Sequence, residues 1–213
     1  GLGLQGLSLH IALEELGWGS AEFAASLAVA GFPFASVAAS GKQELIEEFV
    51  TPFVADKEAR FVGCWAITEP SHGSDQFMAS MPQFYDAKIS GEVSARPDGN
   101  HYIVNGQKAA WVSNGTIATH ALTYLTLDAS KGLAGGGVAM IPLNLPGVSK
   151  GKPLDKMGQR ALNQGSIIFT DVRIPKRYLL VAAAAYEAAL HQTLALTNAA
   201  MGAVFTGVAR AAY

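Results

Sequence analysis

Charge and cysteine are what this sequence has least of. Only 15% of its 213 residues are Asp, Glu, Lys or Arg, against roughly 25% in an ordinary soluble domain. The 15 Lys and Arg against 17 Asp and Glu leave a formal net charge of −2, so the basic excess of a nucleic-acid binder is missing. Disorder is excluded by an apolar content of 50%, which is more than a chain that stays unfolded can carry. Cys64 is the single cysteine, and one thiol builds no disulfide framework. His10, His72, His101, His120 and His191 are scattered with no pair at ligand spacing, so no protein-ligated metal is expected. The serine-nucleophile elbow, the phosphate-binding loop ending in Gly-Lys-Ser/Thr and the paired-histidine zinc motif are all missing. A surface so poor in charge is expected to be covered in part by partner subunits.

One stretch has the length of a membrane span but not its composition. Residues 188–209 carry no Asp, Glu, Lys or Arg and are long enough to cross a bilayer. His191, Gln192, Thr193, Thr197 and Asn198 interrupt the stretch with polar side chains that lipid tolerates poorly. It reads instead as a bundle helix, with small residues suited to close helix contact. The sequence opens on Gly1, and Val204 to Tyr213 keep a helical pattern to the end. It is therefore expected to be a segment of a longer chain, in which the lack of a targeting segment carries no information.

Three zones differ in period. From Leu7 to about Phe53 the signal is helical, with Leu9, Leu13 and Leu16 on one face. Gly17 and Gly19 are expected to interrupt it, Ser20 to cap a second helix ending near Gly31 and Pro33, and a third helix to stop at Thr51-Pro52. From Phe61 to about Val172 strands and turns take over, at 61–67, 102–104, 121–127, 137–141 and 166–172. Asp98-Gly99 and Asn105-Gly106 are both expected to be turns, the second by the strongest short-range hairpin signal. With no helix of normal length between these strands, a mostly antiparallel sheet or barrel is expected rather than alternating βαβ units. After Ile174-Pro175 the helical pattern returns.

The opening GLGLQG matches a dinucleotide fingerprint by its letters, and Glu22 has the right separation, but the residue sits in a helical pattern and not at the end of a second strand. The glycine run Gly135–Gly137 reads as a strand connection. Two other segments carry more. In WAITEPSHGSD, residues 65–75, an apolar strand runs into a loop of small residues whose N–H groups suit an anion such as pyrophosphate. In NGQKAAWVSNG, residues 105–115, Trp111 stands two residues before Ser113, which on one strand would put a flat apolar face and a hydroxyl on the same side. A flat heteroaromatic ring with a hydrogen-bonding edge needs that combination.

Taken together and in order, GLGL at Gly1–Leu4, TEPSHGSD at Thr68–Asp75, NGQK and WVSNG at Asn105–Gly115, PGVSKGK at Pro146–Lys152, KMGQR at Lys156–Arg160 and IIFTDVRIP at Ile167–Pro175 resemble the acyl-CoA dehydrogenase family of flavoproteins. The resemblance implies an α+β multidomain fold: an α-helical N-terminal part ending within residues 1–60, a central antiparallel β-barrel-like, flavin-binding domain over 61–178, and the start of a C-terminal four-helix bundle over 179–213. It implies FAD as cofactor. It also implies α,β-dehydrogenation of an acyl-CoA thioester, in which a carboxylate takes the α-proton, the β-hydrogen leaves as hydride to flavin N5, and the product is a trans-2-enoyl-CoA. Electrons would pass to an electron-transfer flavoprotein, and the protein would be a homodimer or homotetramer in the bacterial cytoplasm or the mitochondrial matrix.

Carried over by position, Trp65, Ala66, Ile67 and Thr68 match the strand beside the flavin, with Thr68 bonding its pyrimidine end. Gly73 and Ser74 match the turn near the pyrophosphate, and Ser74 also lies toward CoA. Trp111, Val112 and Ser113 match the segment against the isoalloxazine, with Trp111 packing on it and Ser113 bonding toward N5. Three departures stand out. Ser71-His72 replaces the usual Gly-Ala, and Asn198 replaces an arginine nine residues before Gly207. No carboxylate occupies the place of the catalytic base, where one branch of the family would need it at Thr197; Glu187 lies roughly 15 Å further along the same helix. A flavin monooxygenase or nitroalkane-oxidising relative on the same scaffold, or a non-catalytic flavin- or CoA-binding module, are the rival readings.

Overall fold

The structure is a computed structural model that describes residues 6–213; the GLGL loop and the first letters of GLGLQG lie outside the described residues. Helix α1, Leu7–Gly19, is followed at once by α2, Ala21–Ala39, with the Ser20 hydroxyl accepting from Phe23 N at 3.3 Å as the expected cap. Gly17 does not break α1, because it is a contact residue: a Cβ there would stand 2.2 Å from the Val204 carbonyl of α5. Gly207 on α5, Ala183–Ala212, is the mirror of this contact, with Glu14 O only 2.0 Å from where its Cβ would be. Bare backbone on both helices lets them cross closely, as the small-residue pattern of the last helix predicts.

Helix α2 also runs through Gly31 and Pro33 to Ala39, past its expected end. Proline removes one hydrogen bond, but Pro33, Phe34 and Val37 are buried against the sheet, and that burial outweighs the local loss. Among the described residues α2 is the one helix long and apolar enough to cross a membrane; here it lies along β1, Gly63–Ala66, where a Cβ on Gly63 would meet Ala30 O at 2.5 Å. The third helical run is α3, Gln43–Leu45, a π turn over Ile46–Val50 and α4, Thr51–Ala55. It passes through Pro52 instead of stopping there, and the one hydrogen bond that the proline nitrogen cannot donate falls where the π turn joins α4.

Eight strands form one sheet, in the order β6-β7-β3-β2-β4-β5-β8, with β1 paired to β4. The remaining strands are β2 Ser94–Asp98, β3 His101–Gln107, β4 His120–Thr126, β5 Gly136–Pro142, β6 Val148–Lys150, β7 Ile167–Pro175 and β8 Leu179–Val181. All pairs are antiparallel except β1 with β4 and a single β2–β4 contact. The β2–β3 turn is at Gly99, with φ of 53°. Asn105-Gly106 makes no turn: Gly106, with φ of 128°, is absorbed into β3 where its register against β7 shifts. A bulge uses the same positive φ that a hairpin turn would.

One core cluster fills the side of the sheet covered by α2 and the third helical run, around Phe34, Leu45, Cys64, Ala121 and Ile141. A second, around Ile67, Leu122, Tyr124, Tyr186 and Leu190, lies where α5 and the Ser74–Tyr85 segment cover the other side. The exit of β1 falls between them.

Candidate functional site

The site grows from the way β1 ends. Cys64 and Ala66 point into the first core, while Trp65 and Ile67 point into the second, the alternation a strand imposes. Ala66 therefore offers a ligand only its backbone. After Ala66 the chain leaves β4, and Thr68 is held by Ala109 N, which donates to its carbonyl at 2.8 Å. Segments 65–70 and 108–113, far apart in sequence, are thereby brought into direct contact. The Thr68 hydroxyl and backbone N–H make no hydrogen bond among the described residues, and the side chain is half-buried.

Trp111, two residues after the Ala109 that holds Thr68, has 49% of its surface exposed, a large apolar ring left on the outside. It and Ser113 are not on a strand as expected: residues 110–117 form turns, with Ser113 in an isolated bridge to Gln164. The turn is fixed by polar contacts. Gln164 Nε2 donates to Trp111 O at 2.9 Å and to the Ser113 hydroxyl at 3.3 Å, and Lys156 Nζ donates to Gln164 Oε1 at 2.9 Å. Val112 is buried in the sheet core, so its contribution too is backbone.

Asn114 completes the turn and was given no role by the sequence. It is fully buried with φ of 62°, a region asparagine tolerates better than most residues. Its Nδ2 donates to Ser26 O at 3.0 Å and Gly63 O at 3.3 Å, and its Oδ1 accepts from the Ser26 hydroxyl at 2.9 Å. One side chain thus ties α2, β1 and the Trp111 turn together.

Glu69 and Lys108 were also missed, although both stand inside the two motifs. Lys108 is 0% and Glu69 1% exposed, and Lys108 Nζ donates to Glu69 Oε1 at 2.7 Å and to Ile67 O at 2.8 Å. Glu69 accepts in addition from the backbone of Glu92 and Val93. The available signal was a charged residue beside a strand in a chain that has few charges. Burial pulls the Lys108 pKa down to about 8, against the opposing pull of Glu69.

The loop at 71–75 differs from the expected open anion turn. His72 N donates to Glu69 O at 3.2 Å and Gly73 N to Asp75 Oδ1 at 2.7 Å, so two of its N–H groups are already used. The His72 ring bonds Asp75 Oδ2 at 2.6 Å and Ser90 O at 3.1 Å, closing the loop upon itself. Ser74 is exposed at the start of a 3₁₀ turn, Ser74–Phe77.

On the inner side, Trp65 packs edge-on against Phe32 at 5.1 Å, with its indole Nε1 buried and unpartnered. Phe32 also lines an apolar cleft of about 380 Å³ between α2, strands β4, β5 and β8, and α5, with Tyr124, Val138 and Leu196 among its walls. Thr197 and Asn198 lie on α5, half-buried and exposed respectively. Glu187 is exposed and reaches His191 at 4.0 Å. No cluster of His, Cys, Asp and Glu able to hold a metal occurs among the described residues.

Comparison with known proteins gives one consistent result. The acyl-CoA dehydrogenase middle-domain family model matches residues 64–172. The short-chain specific acyl-CoA dehydrogenase of Rattus norvegicus mitochondria is 33% identical over 182 residues, covering 84% of this chain and 40% of its own. The solved structure of a putative acyl-CoA dehydrogenase from Mycobacterium smegmatis is 26% identical with a TM-score of 0.83, over 99% of this chain and 51% of that one. Butyryl-CoA dehydrogenase from Megasphaera elsdenii, 26% identical, gives a TM-score of 0.80 over 97% and 50%. The chain spans about two fifths of the length of the curated relatives it matches.

Proposed function

The chain belongs to the acyl-CoA dehydrogenase family, and on that footing we propose that its protein is an FAD-dependent oxidoreductase that converts an acyl-CoA thioester to the trans-2-enoyl-CoA. The observation that carries the reading is the contact between the Thr68 and Trp111 segments, one bearing a half-buried threonine with free donors and the other an exposed indole. Those are the elements a flat ring with one polar edge requires, and FAD fits them. When bound, FAD supplies the acceptor for the hydride and passes electrons on to an electron-transfer flavoprotein.

This chain's residues orient and shield. Thr68 offers its hydroxyl and N–H to the polar edge, Trp111 covers the apolar face, and the Ser113 hydroxyl, held by Gln164, points a donor or acceptor beside it. Trp65 and Ile67 keep the inner side dry, and Gly73 and Ser74 lie toward the phosphates and CoA. The apolar cleft beyond Phe32 suits the hydrocarbon part of the acyl group. The α-proton is taken by a carboxylate that none of the described residues is assigned to supply: Thr197 and Asn198 carry none, and Glu187 faces solvent.

Exposed apolar side chains at Leu7, Ile11, Phe23 and Phe205 support assembly as a homodimer or homotetramer. Residence in the bacterial cytoplasm or the mitochondrial matrix belongs to the same proposal. The native protein, purified, should be yellow and should bleach anaerobically with one acyl-CoA from a panel of straight, branched and cyclic acids. A yellow protein that no acyl-CoA bleaches would favour a flavin-holding relative without dehydrogenase chemistry.

A further inference from the structure

A buried charge is expensive, and the fold keeps one at the exit of β1. Lys108 and Glu69 are both out of contact with water, and two charges in such a place are often no more stabilising than apolar residues of the same volume. A structural tie alone does not require an ammonium group here. What the ammonium does is specific: besides Glu69, it donates to the carbonyl of Ile67, at 2.8 Å. That carbonyl shares its peptide with the N–H of Thr68, which makes no hydrogen bond among the described residues. On the other side of Thr68, the next carbonyl is held by Ala109 N, one residue after Lys108, and Lys108 N itself donates to Ile167 O on β7 at 2.8 Å. Thr68 is thus gripped on both sides by the same two residues, with its own N–H left over. A charge-assisted bond to one end of an amide draws electron density across it and strengthens the donor at the other end.

We propose that Lys108, held in place by Glu69, is a positioning residue that polarises the Ile67–Thr68 peptide and so makes the Thr68 N–H a stronger donor to the carbonyl edge of the bound flavin. The inference rests on the reading that the protein binds FAD. A stronger donor at that edge favours the reduced ring, which holds more electron density there, so the charge on Lys108 raises the reduction potential as well as the affinity.

The test uses the native protein loaded with FAD and three forms: wild type, Glu69→Gln, and the double variant Lys108→Met with Glu69→Gln, which removes the charge without stranding a buried carboxylate. Reduction potential, FAD dissociation constant and visible spectrum are measured on each. The double variant should shift the two-electron equilibrium about tenfold toward oxidised flavin, which is about 30 mV lower, and weaken FAD binding about tenfold. Glu69→Gln, which leaves the amine on Ile67 O but withdraws the carboxylate that keeps it charged, should lower the potential by no more than the double variant does. A double variant equal to wild type in both quantities overturns the proposal. So does Glu69→Gln shifting the potential further than the double variant, because the effect would then belong to local packing and not to the charge. Should the double variant fail to fold, Lys108→Gln with Glu69→Gln, which leaves a neutral donor in the pocket, makes the same comparison. Wild-type protein that takes up no FAD would strike the functional reading itself, before any variant is made.

Discussion

Replacing Asn114 with alanine tests whether the Trp111 turn is held as the geometry describes. The side chain makes three hydrogen bonds, to Ser26 O, Gly63 O and the Ser26 hydroxyl, each contributing about 1 kcal/mol net. Alanine also has to adopt φ of 62°, at a cost of about 1 kcal/mol or more. Asn114→Ala should therefore lose about 4 kcal/mol, a large share of the stability of an ordinary domain. Asn114→Gly loses the same bonds without the strain and should be less destabilised by about 1 kcal/mol. Urea unfolding followed by tryptophan fluorescence and by circular dichroism gives both numbers if the two probes coincide. A loss under about 1 kcal/mol in Asn114→Ala would refute the claim that this side chain ties α2 and β1 to the turn.

His120 predicts an acid sensitivity. Its ring packs against Phe34, Phe49 and Phe61, and burial pulls its pKa down to about 4, with Glu48 opposing; Arg60 and Lys150 share the surface cleft beside it. Because the unfolded chain takes up this proton near pH 6.5 and the folded one only near 4, stability should be full above pH 6.5 and fall by up to about 3 kcal/mol on the way to 4, less as water reaches the half-buried ring. His120→Phe should flatten that fall in denaturant titrations at several pH values; an unchanged profile contradicts it. Gly115→Ala puts a Cβ 2.1 Å from Gly165 O, which no rotamer relieves, so it should lower the melting temperature and weaken FAD binding together. Measured in one calorimetric and one FAD titration experiment, a variant that melts with wild type would show that the turn has slack.

Much of the fold could be read from the sequence because its signals are local. The Leu9, Leu13 and Leu16 spacing gave α1, the Ser20 cap placed the start of α2, and Asp98-Gly99 placed the β2–β3 turn, each without knowledge of a distant residue. What misled was local chemistry overruled from afar. Gly17 looks like a breaker until α5 lies against it, Pro33 looks like a stop until Phe34 and Val37 bury beyond it, and Asn105-Gly106 looks like a hairpin until β7 pairs with both of its sides. At the candidate site, the two motifs pointed to Thr68 and Trp111, whose segments do meet, but not to their supports. Glu69, Lys108, Asn114 and Gln164 each have a partner 39 to 88 residues away in sequence, and a charge or amide gives no sign in the sequence that it will be buried. The loop at 71–75 is less open than its small residues suggest for a related reason: Asp75 folds back to use the N–H of Gly73.

The most direct measurement is FAD binding by the apoprotein of the native protein, compared with Trp111→Ala and Thr68→Val. Half of the Trp111 surface is buried, so removing its ring costs up to about 3 kcal/mol; binding is measured well below the melting temperature of each apoprotein, so that loss of binding does not come from unfolding. Each variant, still folded, should bind FAD at least tenfold more weakly than wild type. Equal affinity in all three would mean that the flavin, if bound, sits elsewhere, and would contradict the account.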